Sequence, residues 1–180
     1  MKEKGIHALF LTGPPGIGKT TVIRNLTSAL AGRRIRGFLT EEIRSATGVR
    51  LGFRIESLAG GRAVLAHVSI RSPFRVGRYG VDIGALDRMV EASLVVDGNT
   101  EVYLVDEIGK MECYSARFVQ AVSALLDAGR PLVATIALSG QGPIAALKAR
   151  PDVEIWTVSR ENRDGLPERI LDWLSRLERS

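Results

Sequence analysis

Two kinds of apolar run alternate along the chain. The continuous ones are "HALFLT" from His7, "VYLV" from Val102, "LVATIAL" from Leu132 and "VEIWTV" from Val153. Short unbroken runs of this kind predict strands buried on both faces of a sheet. Elsewhere apolar residues recur at helical spacing. The sets are Val22, Ile23, Leu26, Ala29 and Leu30; Ile83, Leu86, Met89, Val90 and Leu94; Phe118, Val119, Val122, Leu125 and Leu126; and Ile170, Leu171, Leu174 and Leu177. Each set forms one face of an amphipathic helix. Gly32 stops the first helix, Asp82 and Ser115 cap the next two, and Pro167 opens the last. Strands alternating with helices predict a three-layer α/β domain, mainly a parallel sheet with helices on both faces. Residues 37–68 depart from that pattern. Their short runs, broken at Thr47-Gly48 and Gly60-Gly61, predict an antiparallel hairpin addition at one edge. No repeat, low-complexity tract or linker interrupts residues 1–180, so a single domain is expected.

Composition narrows the class. With 45% hydrophobic and 25% charged residues, a chain of 180 is globular and long enough for a sizeable core. The net charge of +5 suits an acidic ligand such as a nucleotide. No Lys/Arg run is interleaved with aromatics, so nucleic acid is not indicated. The one cysteine, Cys113, excludes an intramolecular disulfide and fits a reducing cytoplasm. Only His7 and His67 are present and neither is evidently paired with it, so Cys113 reads as a small packed residue. The opening "MKEKGIHALFLTG" has a basic head and an apolar run cut by Gly13-Pro14-Pro15, too short for a signal peptide. No run approaches membrane-spanning length. A cytoplasmic monomer is expected.

The chemistry concentrates in two places. Gly13, Gly18, Lys19 and Thr20 in "FLTGPPGIGKTT" match G-x-x-x-x-G-K-[ST], between a predicted strand and a predicted helix. Gly13, Pro14, Pro15, Gly16, Ile17, Gly18, Lys19, Thr20 and Thr21 are therefore the expected phosphate cradle. Its backbone amides face an anion at the start of a helix. Lys19 is expected at the β- and γ-phosphates and Thr20 on Mg²⁺. The second place is "VYLVDEIGKME". Asp106 at the strand end is placed to hold Mg²⁺ through water. Glu107 is placed to orient and deprotonate an attacking water. Asp106 to Gly109 also fits the D-x-x-G of small GTPases, but no Asn-Lys-x-Asp for guanine is present, which weakens a GTP switch. Lys110 either neutralises charge on the transferred phosphoryl or pairs with Glu112 or Glu107 at the surface; the sequence leaves both open.

Other signals are weaker. Arg75 and Arg78 in "PFRVGRYGVD" either close over the triphosphate, where such an arginine is worth about 10³–10⁵ in rate, or lie in a solvated loop. Thr40 and Glu41 either position water or metal, or simply point outward from a strand. Thr135 contacts the phosphate or water, or is a core β-branched residue. "LSGQG", Leu138 to Gly142, is a loop before a helix. Asn162 and Arg163 border the base or cap the following helix.

"FLTGPPGIGKTT", "GFLTEEIR", "RVGRYGVD", "VDEIGKME" and "ENRDGLP" occur in this order. Together they resemble the small P-loop nucleoside triphosphatases of thermophilic archaea and bacteria, a family that includes the human cancer-related nucleoside triphosphatase. The resemblance spans nearly the whole chain. It implies a cytosolic phosphohydrolase acting on ATP, GTP and other nucleoside triphosphates with Mg²⁺. It further implies that Leu104, Val105, Asp106, Glu107, Ile108, Gly109, Lys110 and Met111 form a second nucleotide-contacting segment, with Glu107 as the base. Cys113-Tyr114 stands where the family carries Leu-Phe, two residues past the charged cluster. Two other readings remain. A nucleotide or small-molecule kinase needs an acceptor pocket and a lid, and no lid-sized insertion is present. A nucleotide-gated module for RNA or protein is compatible with the basic charge.

Overall fold

The computed structural model describes residues 5–179; the basic head, Met1–Lys4, lies outside them. The strands are β1 (Ala8–Thr12), β2 (Ile35–Arg44), β3 (Arg50–Ser57), β4 (Arg62–His67), β5 (Arg75–Val76), β6 (Tyr79–Val81), β7 (Val102–Ile108), β8 (Leu132–Ile136) and β9 (Val153–Thr157). The helices are α1 (Lys19–Ala29), α2 (Ile83–Ser93), α3 (Ala116–Asp127), α4 (Pro143–Lys148) and α5 (Leu166–Leu177). All nine strands form one sheet in the order β5-β6-β4-β3-β2-β7-β8-β1-β9. From β2 to β9 every pairing is parallel; from β2 outward through β3, β4, β6 and β5 every pairing is antiparallel.

Alternation along β1 explains the layers. Ala8 and Phe10 enter the core beneath α2, α3 and α4, while Leu9 and Leu11 enter the core beneath α1 and α5. The caps form as the sequence predicts. Asp82 accepts from Ala85 N at 2.9 Å, and Ser115 accepts from Phe118 N at 2.9 Å.

Three expectations change. β2 is not simply part of an added hairpin: its first half pairs in parallel with β7 and its full length pairs with β3. β9 is not buried on both faces; it is the sheet edge, and Ile155 is 38% exposed. Residues 75–81 are not an open loop but a short hairpin closing the other edge.

Gly37 is where β2 meets β7. Its φ is 124°, and a Cβ there would stand 1.8 Å from the Leu104 carbonyl oxygen. Gly37→Ala is expected to destabilise the chain by about 3 kcal/mol or more, read as a lowered urea midpoint. An unchanged midpoint would contradict this register.

Candidate active site

The chain leaves β1 at Thr12 and turns through residues 13–18 into α1. Gly18 has a left-handed φ of 111° and no side chain caps the helix, so its first-turn amides remain free for an anion. Lys19 donates from Nζ to the carbonyls of Gly13 at 2.7 Å and Pro14 at 3.2 Å. Arg163, from the loop between β9 and α5, donates to the Ile17 carbonyl at 3.0 Å and braces the turn from outside.

The acids gather at the end of β7, which β8 separates from β1. Asp106 is 1% exposed. Its Oδ1 accepts from Thr135 Oγ1 on β8 at 2.7 Å, and its Oδ2 from Thr40 Oγ1 on β2 at 3.3 Å. The Thr20 hydroxyl at the start of α1 faces the same carboxylate. Burial pushes the Asp106 carboxyl up, and these three hydroxyls pull it back. The threonines thus answer a question the sequence left open: Thr40 and Thr135 both hold the acid.

The peptide from Asp106 to Glu107 is cis. Glu107 is half-buried and, among the described residues, makes no hydrogen bond or ion pair. Burial and then the Asp106 charge push its carboxyl up, while Lys19 pulls it down. Glu112 lies in a single 3-10 turn, Glu112–Tyr114, and accepts from Gly109 N at 3.1 Å. Gly109 lets the two glutamates close in, because a methyl there would stand 2.7 Å from Glu107 Oε1 and 2.9 Å from Glu112 Oε2.

Burial, and then the charge of Glu107, pushes Glu112 up to about 8 from 4.5. A carboxyl raised on folding stabilises fully below its unfolded pKa, and that contribution is lost as pH rises through the folded value. Thermal midpoints of the wild type are therefore expected to fall relative to Glu112→Gln between pH 4.5 and about 8. Parallel profiles would show that Glu112 is already ionised at acid pH.

A cavity of about 740 Å³ opens over these groups. At its inner end lie Pro15, Gly16, Gly18, Lys19, Thr20, Thr21, Glu107, Lys110, Met111 and Glu112; at its outer end lie Glu41, Glu42, Arg50, Phe53, Leu65 and Val76. A smaller cavity of about 260 Å³ adjoins α1, lined by Gly18, Thr21, Val22, Asn25, Arg163 and Asp164.

Not every residue singled out in the sequence reaches these spaces. Leu104, Val105 and Ile108 are fully buried in β7 and carry the acids without lining the cavity. Asn162 spends its amide on its own loop, accepting from Ser159 N and donating to the Thr157 carbonyl; its neighbours Arg163 and Asp164 line the smaller cavity. Lys110 is exposed and forms no ion pair among the described residues, so the surface pairing with Glu112 or Glu107 does not occur. Arg75 and Arg78 are tied to the carbonyls of Arg78 and Arg50 and line neither cavity. The arginines that line the larger cavity are Arg24 and Arg50, which no motif marks. Arg24 donates to the Thr40 carbonyl at 3.1 Å. Cys113 is a partly buried residue whose thiol burial pushes up to about 12, which rules it out as a nucleophile.

The donor set around Asp106 is all oxygen: a carboxylate and the Thr20 hydroxyl. That suits Mg²⁺, which takes one or two carboxylates and completes its shell with substrate phosphates and water. Among the described residues no group of three His, Cys, Asp or Glu gathers to hold a metal independently of a substrate. No described helix is long and apolar enough to cross a membrane.

An uncapped helix opened by a glycine-rich turn, facing an acid at the carboxyl edge of the same parallel sheet, defines the P-loop nucleoside triphosphatase fold class. The particular family follows from comparison with known proteins. A family model described as NTPase matches residues 8–171, and the chain belongs to that family. It is 37% identical to the nucleoside-triphosphatase THEP1 of Thermotoga petrophila, over 91% of this chain and 90% of that one. It is 37% identical to the human cancer-related nucleoside-triphosphatase, over 88% and 91%. The crystal structure of THEP1 from the hyperthermophile Aquifex aeolicus superposes with a TM-score of 0.77 at 33% identity, covering 93% of this chain and 98% of that chain. The solution structure of the human protein gives 0.77 at 35% identity, covering 96% and 97%.

Proposed function

We propose that this chain is a Mg²⁺-dependent nucleoside triphosphate phosphohydrolase with broad base tolerance, acting as a single domain on ATP, GTP and other triphosphates. The observation that carries the reading is Glu107: an unpartnered carboxylate that shares one cavity with Gly18, Lys19 and Thr20. The names of the relatives, all nucleoside triphosphatases, point the same way.

In this reading the turn at residues 13–18 and the first-turn amides of α1 hold the phosphate chain. Lys19 moves from the loop carbonyls onto the β- and γ-phosphates. Thr20 and Asp106 hold Mg²⁺, which when bound neutralises charge on the phosphates. Glu107 accepts the proton of a water aimed at the γ-phosphorus, and its raised pKa strengthens it as a base. Lys110, unpaired and beside the same cavity, is placed to meet charge on the departing phosphoryl. The nucleoside lies over the smaller cavity, where Arg163 and Asp164 replace the expected contact from Asn162. That cavity has no aromatic wall to select a base, so most binding energy comes from the phosphates.

Phosphate release from ATP, GTP, CTP and UTP, with no acceptor added, is therefore expected to agree within roughly tenfold and to vanish when EDTA removes Mg²⁺. Release from one base alone would remove the broad tolerance. Undiminished release in EDTA would remove the metal requirement.

A further inference from the structure

The cavity extends from the phosphate turn to the antiparallel strands, and its outer half is made differently from its inner half. Phe53 lies on β3, Leu65 on β4 and Val76 on β5. In the sheet β3 stands four strands from β1, about 19 Å at roughly 4.8 Å per strand, and β4 one strand farther. A nucleotide gripped after β1 also extends the opposite way, because the smaller cavity lies beside the loop that follows β9. The outer half is thus left over by the nucleotide reading, on which only this division of the cavity rests.

Its chemistry is definite. Phe53, Leu65 and Val76 supply an apolar wall. Arg50 stands over it with its guanidinium carbon 5.3 Å from the Phe53 ring centroid and 5.7 Å from that of Tyr79. Tyr79 OH accepts from Arg50 Nε at 3.0 Å and Glu42 accepts from Nη1 at 3.0 Å, which fixes the plane of the group. The acids nearby are already paired, Glu41 with Arg54 and Glu42 with Arg44 and Arg50. Nη2 of Arg50 has no such partner among the described residues. A stacked, pre-oriented arginine with its Nη2 edge unspent over an apolar wall selects a planar ring carrying negative charge.

We propose that this outer half is a second binding site, for a small aromatic anion, distinct from the nucleotide and able to be occupied together with it. The probe that tests it is 1-anilinonaphthalene-8-sulfonate, titrated by fluorescence into the full chain saturated with ADP and Mg²⁺. One saturable site is expected. Phe53→Ala and Arg50→Met are each expected to weaken it by roughly tenfold. Val76→Trp, which fills the pocket from the hairpin, is expected to abolish probe binding and leave ADP affinity unchanged. Circular dichroism and thermal midpoints confirm that each variant is folded. Absence of saturable binding, insensitivity to all three substitutions, or displacement of the probe by ADP would each overturn the proposal. Lys19→Ala separates the two readings, since it should weaken ADP by roughly 10- to 100-fold and keep the probe. A wild type that binds the probe but no nucleotide would sink the nucleotide reading alone.

Discussion

Glu107→Gln is expected to bind nucleoside triphosphate as the wild type does and to release phosphate about 10²–10⁴-fold more slowly, the range a positioned general base supplies. The substitution keeps the shape of the side chain and removes its basicity. Glu107 has no partner in the fold that the change would orphan, so the protein should remain folded. Burial and the neighbouring Asp106 raise its pKa, so wild-type turnover should decline on acidification at a higher pH than an ordinary carboxylate would give. Calorimetric affinity combined with single-turnover phosphate release checks both halves. Wild-type turnover in the Gln variant would remove Glu107 as the base. Loss of binding would instead make it a ligand of the nucleotide or its metal.

Lys19→Ala acts at the earlier step. The ammonium is buried and rests on two carbonyls of its own loop, so little stands between it and an incoming phosphate. A hydrogen bond to a charged group is worth about 1.5–3 kcal/mol, so triphosphate affinity should fall by roughly 10- to 100-fold. The Gly13 and Pro14 carbonyls can turn to water in the cavity, so the loss should appear in binding far more than in unfolding. Undiminished affinity by calorimetry would take Lys19 out of the phosphate site.

The readable parts of this molecule were those governed by local chemistry. Asp82, Ser115 and Pro167 mark helix starts because a cap acts within three residues of itself. Gly18, Lys19 and Thr20 are legible because their spacing is the function. An apolar run, however, says that a strand is covered, not by how much. Trp156 on the edge strand β9 finds its cover from Arg169, 4.9 Å above its ring, so "VEIWTV" looks like a central strand and is not one. Of the two readings open for Arg75 and Arg78, neither names what forms: an exposed hairpin at the sheet edge with Gly77, φ 57°, in its turn. Arg50 and Phe53 reach the cavity only because the antiparallel strands carry the sheet past β2, a fact of topology that no spacing in the chain records, and Arg24 reaches it from α1 beside β2. The partnership of Thr40 and Thr135 with Asp106 spans three strands and was equally out of reach.

β8 acts as a spacer. Were β7 the immediate neighbour of β1, the two strand ends would lie about 5 Å apart; with β8 interposed they lie about 10 Å apart. That extra width leaves an opening above β8 between the phosphate turn and the acids, and in the proposed hydrolysis it is the space through which solvent would reach the phosphate chain.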